Sequence, residues 1–155
     1  MPQRPISTVI AKQKVVTAPS SMTIRDAARH MKQRNVSSII VVDGGRLVGI
    51  FTERDALSRV LAEGRDAKAT KLADVMTADP QTIDPGKPVG YALLMMYEGG
   101  FRHVPVVRDG HPIGMISARD ALGPELQEFE SELERRKRIG EILGSAHTLR
   151  SGRSR

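Results

Sequence analysis

At 155 residues, with no cysteine and a formal charge of +6 at neutral pH, the chain suits one compact domain or two small units, and it excludes disulfides, thiol catalysis and zinc–cysteine sites. Aromatic residues make up 3% and tryptophan is absent, so there is little to stack on nucleobases, which argues against nucleic acid as a partner despite the basic balance. No stretch approaches the roughly 20 apolar residues that span a bilayer, and the N-terminal MPQRPISTVIAKQK has no apolar run of signal-peptide length, so the expected location is the cytoplasm.

Along the chain, Thr23 is suited to cap a helix running through Met31, with Ile24, Ala27, Ala28 and Met31 at i, i+3, i+4, i+7. SSIIVV (37–42) is a β-branched run suited to a buried strand. Asp43-Gly44-Gly45 supplies a hairpin turn, RLVGIF (46–51) returns antiparallel, and a helix is predicted from about Glu53 to Ala62. A polar connector, EGRDAKAT (63–70), precedes a short helical turn at KLADVM (71–76). The pattern then recurs as a helix over Val89–Tyr97, a strand HVPVV (103–107), a turn at Arg108-Asp109-Gly110, a strand PIGMI (112–116) and a helix starting at Ser117. Finally, ELQEFESELERRKRIGEIL (125–143) reads as a helix after Pro124, acidic in its first half and basic in its second, in the order that complements the macrodipole. Glu132–Arg136 and Glu134–Arg138 are predicted i,i+4 pairs, and Leu126, Phe129 and Leu133 form a short apolar stripe. Gly140 and Gly144 weaken its end, and the basic tail is expected to fray.

The recurrence is a true repeat. GIFTERDAL (49–57) and GMISARDAL (114–122) lie 65 residues apart, and at the same offset Ala27, Met31, Val41, Val42 and Gly45 meet Ala92, Met96, Val106, Val107 and Gly110. At that offset TVIA (8–11) stands where the second copy has ADVM (73–76), which is the weakest part of the match. One unit has too small a core to stand alone, whereas two packed sheet to sheet about a pseudo-twofold axis bury both apolar sets.

With DVMT (74–77), FRHVPVV (101–107) and two G-h-h-[ST]-x-x-D segments (h, hydrophobic), each after an apolar strand and a Gly turn, the chain resembles a tandem cystathionine-β-synthase (CBS) domain pair, or Bateman module, over roughly residues 7–123. The resemblance implies an α+β fold of two pseudo-twofold-related β-α-β-β-α repeats packed sheet to sheet, with the charged C-terminal helix added. The expected divisions are repeat 1 at 7–63, linker 64–72, repeat 2 at 73–123, helix 124–144 and flexible basic tail 145–155.

The repeated line sets a hydroxyl, Thr52 or Ser117, where a strand hands over to a helix, and free N–H groups there favour an anion such as phosphate. Asp55 and Asp120 follow three residues later, with oxygens able to accept both hydroxyls of a ribose, and Arg54 and Arg119 can bond phosphate oxygens. An alternative stays open: the hydroxyl caps the helix and the Asp bonds an exposed N–H.

The resemblance implies nucleotide clefts between the repeats. One would use Ile50, Thr52, Arg54 and Asp55 from repeat 1 with Pro80, Thr82, Phe101, Arg102 and His103 from the other side. Its mate would use Met115, Ser117, Arg119 and Asp120 with Val15, Thr17, Val36, Ser37 and Ser38. Apolar members would sandwich adenine. The implied ligands are AMP, ADP, ATP, NAD(H) or S-adenosylmethionine, with phosphate-bearing ones favoured by the arginines. The implied role is a regulatory sensor, a homodimer acting on an effector protein; a structural adaptor with vestigial clefts is the alternative. No phosphate-binding P-loop, dinucleotide fingerprint or nucleophile elbow is present, and the histidines have no metal-ligand spacing, so neither an enzyme nor a metal site is expected.

Overall fold

The structure, a computed structural model, describes residues 4–151, without the side chains of 125–130 and 145–151. It divides into a first unit ending at Ala121 and a second beginning at Leu122.

In the first unit the elements run α1 (Ile6–Ile10), β1 (Thr17–Ala18), α2 (Ile24–Arg34), β2 (Ser38–Asp43), β3 (Arg46–Thr52) and α3 (Glu53–Asp55), then α4 (Leu72–Val75), β4 (Thr77–Ala78), α5 (Val89–Gly99), β5 (His103–Arg108), β6 (His111–Ser117) and α6 (Ala118–Ala121). The fold is the expected α+β repeat pair. Thr23 caps α2 by accepting from Asp26 N–H at 3.2 Å. Both hairpins turn on two residues at positive φ, Gly44-Gly45 and Asp109-Gly110, as a tight right-twisted hairpin requires. The same bulge recurs, with the register shifting between Val41 and Val42 in one copy and between Val106 and Val107 in the other. Parallel pairing of Ala18 with Val41 is matched in repeat 2 by the single bridge of Ile83 with Val106.

Each repeat has its own core. Ile39, Val41 and Phe51 pack with Ile24, Ala27 and Met31 in one, and Val104, Val106 and Ile116 pack with Val89, Ala92 and Met96 in the other. On the opposite face of the strands, by their two-residue alternation, lie the buried Ile40 and Pro105 with cross-strand neighbours Ile50 and Met115.

What binds the two cores is an exchange of lead-in helices. Ile6 and Ile10 of α1 belong to the core of repeat 2, and Leu72 and Val75 of α4 to that of repeat 1. Matching backbone bonds fasten the exchange: Ile6 N–H to Lys87 O at 3.0 Å and Val89 N–H to Arg4 O at 2.8 Å, against Leu72 N–H to Met22 O and Ile24 N–H to Thr70 O, both 2.9 Å. These pairs correct the pairing of TVIA (8–11) with ADVM (73–76). The lead-ins correspond at an offset of 66, Ile6 with Leu72 and Ile10 with Met76, because one residue more lies between Ile10 and Ala18 than between their counterparts Met76 and Ile83.

The helix expected over Glu53–Ala62 is one α-turn followed by a π-helix, Ala56–Leu61, in which Ala62 N–H reaches Leu57 O and Arg65 N–H reaches Val60 O. The wider winding still buries Val60 against core 1.

The second unit is α7 (Gly123–Ser151), longer than the expected 124–144. Gly140 and Gly144 lie within it; a glycine costs a helix interior only about 1 kcal/mol relative to alanine, so flanking helix formers carry it through. The tail at 152–155 and the side chains of Leu126 and Phe129 from the apolar stripe lie outside the described residues. Of the predicted pairs, Glu132–Arg136 forms at 3.2 Å, while Glu132 also takes Arg135 at 3.9 Å. Among the described residues, Glu134 and Arg138 make no ion pair, which accords with the small gain an exposed pair brings against side-chain entropy.

Candidate functional site

At the end of β3, Thr52 leaves the strand in extended geometry and caps the following turn. Its Oγ1 accepts from Asp55 N–H at 3.3 Å, and Asp55 Oδ2 accepts from Thr52 N–H at 2.9 Å and from its hydroxyl at 3.1 Å. Repeat 2 copies this: Ser117 Oγ accepts from Asp120 N–H at 3.1 Å, and Asp120 Oδ2 accepts from Ser117 N–H at 3.1 Å and Oγ at 2.9 Å. The capping alternative is therefore what both sites adopt. It engages one carboxylate oxygen of each Asp and leaves its other oxygen outside the reciprocal cap.

Each capped turn forms one wall of a cleft. The first cleft, about 970 Å³, brings together Ile50, Thr52, Arg54 and Asp55 with Pro80, Phe101, Arg102 and His103, eight of the nine residues expected for it. The second, about 240 Å³, brings Met115, Ser117, Arg119 and Asp120 together with Val15, Val36, Ser37 and Ser38, again eight of nine. Thr17 and Thr82 are exposed and line neither cleft. Only the first has the 300–1,000 Å³ usual for a small-molecule pocket.

His103 lines both clefts and crosses the pseudo-axis, its Nε2 3.0 Å from Ser37 Oγ. Burial lowers its pKa; the carboxylates of Glu53, Asp120 and Asp55 oppose this, and Arg102 adds to it.

Sequence reasoning missed Gln13 and Arg59. Gln13 sets its carboxamide against β6, accepting from Met115 N–H at 2.7 Å and donating to Met115 O at 2.8 Å. In the other copy a real strand occupies this place, with β4 pairing Thr77 to Ile50. A side chain thus takes the place of a strand in the first lead-in, whose connection is one residue longer than its counterpart, and only the broken repeat offset hints at it. Arg59 lies in the first cleft with Nε 3.7 Å from Asp55 Oδ1 and Nη1 donating to Val75 O at 3.0 Å. The i,i+4 spacing from Asp55 was a readable signal for it.

Among the described residues no group of three or more His, Asp or Glu could hold a metal, and no helix is long and apolar enough to cross a membrane.

The CBS domain family model matches residues 6–62 and again 72–123. The chain belongs to the CBS-domain family. The CBS domain-containing protein CBSX3, mitochondrial, of Arabidopsis thaliana is 38% identical over 118 residues, 73% of this chain and 57% of that one, so the CBS pair spans little more than half the length of this relative. Among solved structures, a CBS-domain protein from Burkholderia ambifaria superposes with a TM-score of 0.74 at 27% identity, covering 79% of this chain and 94% of that one. A CBS domain protein from Pyrobaculum aerophilum, solved in complex with AMP, superposes with a TM-score of 0.69 at 28% identity over 75% of this chain and 88% of that one.

Proposed function

We propose that this CBS pair is a regulatory adenine-nucleotide-binding module rather than a catalyst, in which occupancy of the inter-repeat clefts changes its conformation or its binding to an effector protein. The observation that carries the reading is the first cleft. It is a cavity of about 970 Å³ with an apolar wall at Ile50 and Phe101, the Asp55 carboxylate at the cap, and Arg54, Arg59 and Arg102 around it. That combination suits a flat base, a diol and phosphates. The AMP-bound Pyrobaculum relative supports the ligand class. AMP, ADP, ATP and NAD(H) are the candidate ligands, and the Asp55 cleft is to fill before the smaller Asp120 cleft.

Calorimetry and thermal shift with AMP, ADP, ATP, NAD⁺ and GTP test this, because a ligand of the folded state raises stability by mass action. Saturable binding of an adenine nucleotide, weakened in Asp55→Ala, is the expected result; a full panel without binding refutes it. Cell fractionation followed by immunodetection of the chain is the separate test of the proposed cytoplasmic location, and recovery in an organelle such as that named for the Arabidopsis relative refutes it.

A second reading, an oligomerisation adaptor, is favoured by α5. Tyr91, Leu94 and Tyr97 lie exposed at i, i+3, i+6, where the matching residues of α2 are Asp26, Arg29 and Lys32. The apolar α5 face suits a second copy of this chain, so we infer a homodimer, with or without ligand.

A further inference from the structure

One of the charges by which the clefts differ stands beside the Asp55 carboxylate. Asp55 Oδ2 is taken by the cap, while Oδ1 faces the Arg59 guanidinium across 3.7 Å. The position matching Arg59 in repeat 2 is Pro124, which brings no cation. Arg59 is not a loose surface charge. Its Nη1 is held by the Val75 carbonyl at 3.0 Å, and its side chain lines the same cavity as Arg54 and Arg102. The Asp55 carboxylate, only 14% exposed, thus already has an internal cationic partner.

A ribose diol donating to Oδ1 would compete with that guanidinium, and a neutral hydroxyl is a weaker partner for a carboxylate than a cation is. A ligand with phosphates alters the balance, since it brings Arg59 a second anion inside the same cavity. We propose that Arg59 makes the Asp55 cleft select ligands by charge, holding the carboxylate against uncharged nucleosides and releasing it to those whose phosphates engage the guanidinium. This rests on the adenine-nucleotide reading above. It adds that the number of phosphates, and not the base alone, sets occupancy of this cleft.

The test is calorimetry with adenosine, AMP, ADP and ATP on the full chain, on Arg59→Gln and on Arg59→Lys. Arg59 is half exposed and its neighbour Val60 carries the core contact, so both variants are expected to fold, which thermal melts check. In Arg59→Gln, ATP should weaken by about 10-fold or more, the worth of a charge-assisted bond, while adenosine is unchanged or tighter. The ATP-to-adenosine affinity ratio therefore collapses in Arg59→Gln and survives in Arg59→Lys, which keeps the charge. Equal weakening of adenosine and ATP, an unchanged ratio, or loss of the ratio in Arg59→Lys as complete as in Arg59→Gln each overturns charge selection while leaving nucleotide binding standing. Failure of every ligand to bind the wild-type chain overturns both readings.

Discussion

Thr52 and Asp55 serve the fold before they serve a ligand. Their reciprocal bonds satisfy backbone N–H groups that the first helical turn leaves open, so Asp55→Ala should cost about 0.5–2 kcal/mol of stability, as Asp120→Ala should in its own repeat. Urea denaturation checks this. If Asp55 Oδ1, the oxygen outside the cap, also holds ribose, Asp55→Ala should weaken nucleotide binding by about 1.5–3 kcal/mol, while a dideoxy ligand loses affinity only on the wild type. His103 makes a pH prediction of definite sign. Burial sets its folded pKa below the ordinary histidine value of about 6.5, so the unfolded chain binds more protons in the window below 6.5. The stability that depends on neutral His103 is complete above that value and is lost as pH falls. The melting temperature should thus drop between about pH 7.5 and pH 5.5 and drop less in His103→Gln. A ligand phosphate near the ring would instead raise its pKa in the complex, making binding tighter towards pH 6. Loss of that trend in His103→Gln separates it from titration of the phosphate itself.

Among the elements, the exchanged lead-ins fix two glycines. A Cβ on Gly49 would meet Met76 Sδ at 2.5 Å and Thr77 O at 2.9 Å, and one on Gly114 would meet three carbons of Ile10, each at 2.9 Å. Backbone and a β-branched core residue yield less readily than a flexible side-chain tip. Gly49→Ala and Gly114→Ala should therefore each destabilise by about 1–3 kcal/mol, by pushing a lead-in off the sheet it covers. Chemical denaturation measures this, and Gly44 and Gly64, with open space at the Cβ position but positive φ, serve as controls for backbone strain alone. The π-helix after α3 carries Arg59, which partners Asp55 in the first cleft, and the position that matches Arg59 in repeat 2 is Pro124.

At the scale of the whole molecule, the two repeats are held by crossing pieces rather than by one shared core. Each repeat needs a helix from the other's lead-in to close its own apolar face, so neither is expected to fold when expressed by itself. The exposed α5 face predicts association. Leu94→Glu combined with Tyr97→Glu should lower the mass measured by sedimentation to that of a monomer without lowering the melting temperature of the fold, since both side chains point away from core 2 and its helix partners. Binding of ATP in the first cleft should weaken as salt is raised, because its cationic side chains are partly exposed and screened.

The repeat, the strand order within each hairpin, the capped turns and most cleft residues were legible in the sequence, because turn glycines, β-branched runs and the twice-written G-h-h-[ST]-x-x-D act locally and at a constant spacing. Sequence also carried the difference in charge between the clefts through Arg102 and the two serines Ser37 and Ser38. What the tertiary structure alone decided is where chain segments far apart meet. The shift of the lead-ins to an offset of 66, the Gln13 carboxamide standing in for a strand beside Met115, and His103 shared between clefts through Ser37 all arise from contacts across the pseudo-axis. Periodicity along one segment records which face of it is buried, but not which distant segment covers that face, and that choice is made only when both cores close at once.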